Sequence, residues 1–226
     1  MPPRVVVFDL DGTLVDSGAD IAQATNAALH HHGLPELELA EILRYVGDGA
    51  RLLVARAARL DPGNGRVEPL LATFLDHYSA HAVDQTRVLP GAFEALDALS
   101  DFTLAICTNK PRRTTEIVVK ELGLADRFAG LIAGGDLPLH KPDPAPLYEL
   151  ARRFDARPEE LVMVGDGPQD VECGRRAGAR TVGVLGGIAD PARLRAAEPD
   201  ALISTLHELP ALVRGWATPR AGDTPR

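Results

Sequence analysis

The stretch VVVFDLDGT, residues 5–13, decides the fold. Its four leading residues, 5–8, form an unbroken apolar run, which is typical of a parallel strand covered by helices on both sides. Two aspartates, Asp9 and Asp11, follow at the carboxyl end of this predicted strand, and Gly12 permits a sharp turn after them. Like charges at this spacing repel each other unless a cation or a proton lies between them. The stretch therefore predicts a buried strand that delivers two carboxylates to a binding site.

Segments of the same kind recur downstream and alternate with helical patterns. Short apolar runs predict five further strands, and the segments between them predict helices. The predicted strands are 102–108, 131–135, 161–165, 181–185 and 201–203, and the predicted helices are 91–99, 112–122, 144–154 and 169–177. This βαβ rhythm is typical of an α/β fold with an open parallel sheet.

One region breaks the rhythm, because no convincing strand occurs between residues 16 and 87. Three helical patterns occur there instead, at 19–33, 50–60 and 67–83. We therefore predict an all-α domain of residues 16–87, inserted into an α/β core of residues 1–15 and 88–214. We expect the inserted domain to hinge near residues 15–18 and 86–89, and to close over a site so that water is excluded.

Composition and charge narrow the range of partners. The chain has 226 residues, is 45% hydrophobic and carries a formal net charge of −8, so we expect no nucleic-acid-binding surface. No apolar run approaches the roughly 18 residues that a membrane-spanning helix needs. We expect a soluble cytoplasmic protein, monomeric or homodimeric, that acts on a small molecule. Residues 215–226 have few apolar side chains and are predicted to form a flexible tail.

Polar residues also follow later strands. Thr108 and Asn109 end the strand predicted at 102–108. There a hydroxyl, an amide and backbone N–H groups would form an anion cradle, although a helix cap is an equal alternative. Lys141 precedes three prolines that would stiffen the backbone holding it, whereas the alternative is a solvated surface lysine.

Two further acids, Asp166 and Asp170, lie in GDGPQD, residues 165–170, directly after a predicted strand. If a helix begins near Pro168, both carboxylates face one cleft; the alternative is a helix cap with a favourable acid in the first turn. In open α/β sheets, ligands bind beyond the carboxyl ends of the strands, where all these groups fall. Together these segments supply acids that would bind Mg²⁺, one lysine cation, and hydroxyl and amide donors. This set of groups fits phosphoryl transfer.

These motifs resemble a known family. The segments DLDGT (9–13), TN (108–109), the lysine of HKPDP (140–144) and GDGPQD resemble, in order, the four motifs of the haloacid dehalogenase superfamily. The helical insertion resembles the small α-helical cap of that family. The resemblance implies a Rossmann-like parallel sheet core with an inserted helical cap, and Mg²⁺-dependent hydrolysis of a small phosphate ester.

The resemblance also implies residue roles. Asp9 would be the nucleophile that forms an aspartyl-phosphate, and Asp11 the general acid and base. Asp9 and Asp166 would bind Mg²⁺ through their carboxylates, and Asp11 would add its backbone carbonyl to the metal site. An aspartate at position 11 favours phosphate esters, because relatives that cleave carbon–halogen bonds have another residue there.

The remaining roles concern the phosphate and Lys141. Thr108 and the backbone of Asn109 would hold phosphate oxygens, and Lys141 would neutralise the nucleophile and the transferring group. Asp170 would orient Lys141 or a metal-bound water. The fourth motif departs from the family in one place, since Gly167 stands where serine is common.

Within the superfamily, CTNKP (107–111), KPDPAPL (141–147) and the turn YVGDGARLL (45–53) resemble the phosphoglycolate phosphatase-like branch. In that turn, Gly49 and Arg51 would contact the substrate, or Arg51 would be a solvated helix residue. Phosphoglycolate is the leading expected substrate. N-acetylmuramate 6-phosphate or another sugar phosphate is an alternative substrate, and a phosphomutase or a non-catalytic phosphate-ester-binding protein is an alternative function.

Overall fold

A computed structural model describes residues 1–217, and its centre is a six-stranded parallel sheet. The strands are β1 (Val5–Phe8), β4 (Thr103–Pro111), β5 (Gly130–Gly134), β6 (Leu161–Gly165), β7 (Arg180–Val184) and β8 (Ala201–Ile203). Their order across the sheet is β5-β4-β1-β6-β7-β8. The predicted α/β fold with a Rossmann-like parallel sheet is therefore confirmed.

The first strand lies in the middle of the sheet. Val5 pairs with Thr103 of β4 on one side and with Leu161 of β6 on the other. The chain builds β4 and β5 on one side of β1 before it returns to build β6 on the opposite side. This reversal creates a crevice at the carboxyl ends of β1, β4 and β6, which is where open α/β sheets bind ligands.

Helices cover both faces of the sheet. They are α5 (Ala92–Ala98), α6 (Arg112–Glu121), α7 (Ala145–Arg153), α8 (Pro168–Ala177), α9 (Pro191–Ala196) and α10 (Leu209–Ala217). Because side chains alternate along a strand, Val6 and Phe8 join a core with α5, α6 and α10, whereas Val5 and Val7 join a second core with α7 and α8. Both faces of β1 are buried, as its apolar run predicts.

Between residues 16 and 87 the chain forms four helices, which we call the helical insertion. They are α1 (Gly18–His31), α2 (Leu39–Leu43), α3 (Ala50–Ala57) and α4 (Val67–Ala80). The long helices α1 and α4 pack against each other, and α3 packs on α4. Buried side chains such as Phe74 and Tyr78 join the same apolar core as Phe8, so the insertion sits directly on the carboxyl edge of the sheet.

Several elements differ from the sequence predictions. The predicted strand-free region is flanked by a short antiparallel ribbon of β2 (Val15–Asp16) and β3 (Arg87–Val88). Strands of two residues are too short to produce a recognisable pattern in the sequence. Helices α2 and α9 were not predicted, although Asp190 caps α9 by accepting from Ala192 N at 2.8 Å. Residues 215–217 belong to α10 and are not a tail; residues 218–226 lie outside the described range.

Within residues 1–217, no helix is both long enough and apolar enough to span a lipid bilayer.

The short helices α2 and α9 and three single 3₁₀ turns complete the described secondary structure. These turns are Ala125–Arg127, Pro158–Glu160 and Leu206–Glu208.

Candidate active site

Three buried carboxylates meet at the carboxyl edge of the sheet. Asp9 follows β1, Asp166 follows β6, and Asp170 lies in the first turn of α8. One carboxylate oxygen from each of the three lies within 4.8 Å of the other two. They converge because β1 and β6 are neighbours and α8 starts immediately after β6. Carboxylate oxygens at this spacing suit a hard divalent cation such as Mg²⁺ or Ca²⁺.

The charge balance of this cluster also favours a cation. Lys141 Nζ lies 2.9 Å from Asp9 Oδ1 and 2.6 Å from Asp170 Oδ1. Three carboxylates and one ammonium leave two uncompensated negative charges in a buried place. Burial and the charge of Asp9 accordingly raise the pKa of Asp166 to about 7. A divalent cation would remove the imbalance, so the residues present fit a metal ion.

Lys141 is held charged inside the protein. Burial by itself lowers the pKa of a lysine, but the carboxylates of Asp170 and Asp9 outweigh burial and raise the pKa of Lys141. Asp170 is fixed in turn, because its Oδ2 accepts from the backbone N–H of Gly167 at 3.0 Å. The predicted contact between Asp170 and Lys141 is therefore present.

Backbone groups that sequence reasoning missed fix Asp166. Its Oδ2 accepts from the N–H groups of Ile188 at 2.7 Å and Ala189 at 2.9 Å. These residues lie in the loop after β7, the strand next to β6. A backbone donor has no side-chain signature, so the sequence offered no signal for this contact.

Asp11 occupies a separate position. Its Oδ1 accepts from Ser17 Oγ at 2.6 Å and from Lys110 Nζ at 2.8 Å. Lys110 is buried and also donates to the hydroxyl of Tyr78 from α4. Burial lowers the pKa of Lys110, but Asp11 and Tyr78 more than reverse this effect. Sequence reasoning missed Ser17, Tyr78 and Lys110; the only signal was the lysine following Thr108 and Asn109.

Thr108 and Asn109 lie at the same edge, and both are buried. Thr108 Oγ1 accepts from the N–H of Lys110 at 3.2 Å. The side-chain amide of Asn109 donates to the carbonyls of Gly47 at 2.9 Å and Lys141 at 2.8 Å. Asn109 thus connects the helical insertion to the segment that carries Lys141, and a contact between its backbone and phosphate stays a prediction.

A cavity lies between the carboxylates and the helical insertion. Its floor includes Asp9, Asp11 and Asp166, and the insertion supplies mostly small or apolar lining groups. These groups are Ile21, Val46, Gly47, Gly49, Ala50, Leu53, Phe74 and Tyr78. The cavity is therefore a narrow chamber with an acidic floor and an apolar roof.

The structure treats the two predicted specificity residues differently. Gly49 lines the cavity at the start of α3, whereas Arg51 does not line it. Arg51 Nη1 instead lies 2.5 Å from Glu68 Oε2, with 47% of its side chain exposed. A role for Arg51 in substrate binding stays a prediction.

The departure at Gly167 places a glycine next to the side chain of Gln169. A Cβ at this position would meet only the end of that flexible side chain. Gln169 lines the cavity and also lies against Gly47 of the insertion. Sequence reasoning did not single out this glutamine, which reaches both the cavity and the insertion.

Comparison with known proteins agrees with this geometry. Residues 6–184 match the family described as haloacid dehalogenase-like hydrolase. The phosphoglycolate phosphatase of Chromobacterium violaceum is 37% identical over 217 residues, covering 93% of this chain and 96% of that protein. The N-acetylmuramic acid 6-phosphate phosphatase of Pseudomonas aeruginosa is 36% identical over 190 residues, covering 83% of this chain and 84% of that protein.

Solved structures share the whole fold. The crystal structure of a predicted phosphoglycolate phosphatase from Haemophilus somnus 129pt has a TM-score of 0.85 and 27% identity. The similarity covers 93% of this chain and 97% of that one, so it includes the helical insertion as well as the sheet. The resemblance seen in the four motifs is confirmed, and the chain belongs to the haloacid dehalogenase-like hydrolases, in their phosphoglycolate phosphatase-like branch.

Proposed function

We propose that this chain is a Mg²⁺-dependent phosphatase that hydrolyses a small phosphate monoester through an aspartyl-phosphate on Asp9. The convergence of Asp9, Asp166 and Asp170 within 4.8 Å carries the proposal. A nucleophilic carboxylate must approach an anionic phosphate, and this approach is favourable only if positive charge lies beside both. Lys141, 2.9 Å from Asp9, supplies part of that charge.

The reaction has two phosphoryl transfers. A carboxylate oxygen of Asp9 attacks phosphorus, the bond from phosphorus to the leaving oxygen breaks, and Asp11 gives that oxygen a proton. Asp11 then takes a proton from water, whose oxygen attacks phosphorus and breaks the bond to Asp9. The products are the alcohol and inorganic phosphate, and Asp9 and Asp11 return to their starting states.

Charge and position supply the remaining acceleration. Thr108 and the backbone of Asn109 hold the phosphate oxygens, and Lys141 neutralises charge on Asp9 and on the transferring group. Mg²⁺ held by Asp9 and Asp166, with Asp170 beside them, would add positive charge at the phosphate. The carboxylate of Asp11 faces Lys110 and Ser17, so Asp11 would reach the metal only through its backbone carbonyl.

Phosphoglycolate is the substrate that we propose first, because several similar curated relatives carry the name phosphoglycolate phosphatase. N-acetylmuramate 6-phosphate is the second candidate, supported by the relative that bears that name. The identities of 37% and 36% do not separate the two. We propose that the helical insertion acts as a cap that selects the leaving group through the cavity roof.

The Asp9→Asn variant tests the nucleophile and the metal together. Without a carboxylate to attack phosphorus, turnover should fall by at least about 10⁴-fold, and no acid-labile phosphoenzyme should be trapped. EDTA should silence the wild-type protein, and added Mg²⁺ should restore it. Asp16→Asn is the matched control, since Asp16 is exposed and does not line the cavity. Substantial turnover by Asp9→Asn, or indifference to EDTA, would contradict the proposal.

A panel of esters tests the substrate. It should include phosphoglycolate, N-acetylmuramate 6-phosphate, nucleotides and pyrophosphate, with phosphate release measured as kcat/KM. A phosphosugar that is isomerised without phosphate release would indicate a phosphomutase. No phosphate release from any ester in the presence of Mg²⁺ would indicate a non-catalytic binding protein.

A further inference from the structure

A buried lysine joins the helical insertion to Asp11. Lys110 Nζ donates to Asp11 Oδ1 at 2.8 Å and to the hydroxyl of Tyr78. The ammonium also lies 4.4 Å from the centroid of the Tyr78 ring. Only 1% of the Lys110 side chain is exposed. The lysine therefore has one partner on the core and one on the insertion.

Burial makes both partners of Lys110 consequential. A buried ammonium is costly unless its protons are donated to good acceptors. Asp11 supplies one acceptor and a compensating charge, and Tyr78 supplies a second acceptor. Burial raises the pKa of Tyr78 to about 12, so its hydroxyl remains a neutral acceptor. Without the hydroxyl of Tyr78, Lys110 would lose one of its two acceptors, and Lys110 and Asp11 would both be less firmly fixed.

The two oxygens of Asp11 are used unequally. Ser17 and Lys110 both donate to Oδ1, and among residues 1–217 no hydrogen bond to Oδ2 is present. Two donors on one oxygen fix the plane of the carboxylate and leave the other oxygen for proton exchange. The orientation of Oδ2 is therefore set by groups that hold Oδ1.

The partners of Asp11 come from different parts of the molecule. Lys110 lies near the end of β4, Ser17 precedes α1, and Tyr78 lies on α4 of the helical insertion. Tyr78 reaches Lys110 only while the insertion lies over the carboxyl edge of the sheet, as it does in this structure. In a displaced position of the insertion, water would replace the tyrosine around the lysine and weaken the ion pair.

We propose that Tyr78, acting through Lys110, is a positioning residue that orients Asp11 for proton transfer when the helical insertion covers the site. This inference rests on the proposed function, because it concerns the general acid of that reaction. It adds that the insertion contributes directly to proton transfer as well as to the shape of the cavity.

The Tyr78→Phe variant tests the proposal with two substrates. It removes one hydroxyl and retains the ring, whose centroid lies 5.4 Å from the centroid of the Phe74 ring. Phosphoglycolate has an alkoxide leaving group that needs a proton, whereas the acetate released from acetyl phosphate needs none. Since kcat/KM reports steps up to the first irreversible transfer, the later attack of water does not affect the comparison.

We expect Tyr78→Phe to lower kcat/KM for phosphoglycolate by about tenfold or more, as a misaligned general acid would. The value for acetyl phosphate should change by less than about threefold, because binding and nucleophilic attack remain. Tyr45→Phe is the matched control: Tyr45 also belongs to the insertion, but its hydroxyl bonds to Glu41 and it does not line the cavity. It should leave both values unchanged.

The outcomes separate this inference from the proposed function. Equal losses with both substrates would show that Tyr78 only supports the fold or closure, and would overturn the positioning role. Unchanged values with both substrates would overturn it as well. If the wild-type protein releases phosphate from neither substrate, the proposed function itself fails. Thermal melting of each variant should show that Tyr78→Phe remains folded.

Discussion

At the scale of single residues, Gly12 is as constrained as the aspartates around it. Its φ of 80° lies in the left-handed region, which residues with a Cβ rarely adopt. A Cβ at this position would also collide with the carboxylate of Asp166 and approach the N–H of Ile188. Gly12 therefore serves both the turn after β1 and the space in which Asp166 sits.

We expect Gly12→Ala to weaken the apparent affinity for Mg²⁺ by about tenfold or more, because the new methyl group displaces Asp166. A Mg²⁺ titration of activity measures this change. Gly33→Ala is the matched control, since Gly33 has a φ of 67° but no heavy atom lies within 4 Å of the place that its new methyl group would take. It should lose about 1 kcal/mol of stability from backbone strain alone, with an unchanged Mg²⁺ requirement. Equal Mg²⁺ titrations for the two variants would contradict this prediction.

At the scale of elements, a buried aspartate ties together the two segments that connect the insertion to the core. Asp20 of α1 accepts from the N–H of Thr86 at 2.8 Å and from that of Gln85 at 3.0 Å. The hydroxyl of Thr86 donates to the same carboxylate at 2.6 Å. Beside this contact, Val15 pairs with Val88 in the ribbon of β2 and β3. The outgoing and returning segments are thus held to each other.

The Asp20→Asn variant should loosen this connection. All three donors reach Asp20 Oδ2, and the N–H of Gln85 also lies 3.0 Å from Oδ1. An amide would remove the negative charge that strengthens these bonds, and it would turn either its oxygen away from the three donors or its NH₂ group toward the N–H of Gln85. We expect a loss of about 1–3 kcal/mol in the free energy of unfolding, measured by urea denaturation. The amides of Gln85 and Thr86 should also exchange hydrogen faster. The exposed Asp16 provides the control, and an effect of similar size in Asp16→Asn would argue against the special role of Asp20.

At the scale of the whole molecule, the helical insertion is joined to the core around the cavity. Asn109 Nδ2 donates to the carbonyl of Gly47 at 2.9 Å, and Lys110 donates to Tyr78. Both core residues lie at the end of β4, next to Asp9. Contacts this close to the phosphate position would respond to ligand binding, whereas the ribbon at residues 15–16 and 87–88 would act as the hinge.

We predict that Mg²⁺ with orthovanadate, a phosphate analogue, closes the insertion more firmly over the site. Hydrogen exchange should slow at residues 47–50 and in the last turns of α4, because opening becomes rarer. Exchange in β8, at the far edge of the sheet, should not change. Identical exchange with and without the analogue at residues 47–50 would count against closure by a hinge.

Local patterns were sufficient to predict most elements of the sheet. Short apolar runs located β1, β4, β6 and β7, since a buried parallel strand needs apolar side chains on both faces. The ribbon of β2 and β3 and the helices α2 and α9 were missed, because elements of two to six residues have too few side chains to show a period. The predicted tail overlapped α10, whose buried Val213 packs against the core.

The sequence by itself determined which chemical groups are present and at which strand ends: Asp9, Asp11, Thr108, Lys141 and Asp166 could all be named from motifs. Only the tertiary structure decided how these groups are shared. It grouped Asp170 with Asp9 and Asp166, and it paired Asp11 with Lys110, which lies 99 residues away in the chain. The physical reason is that a pairing between distant side chains depends on strand order and on how the insertion packs, and neither is encoded in the spacing of nearby residues.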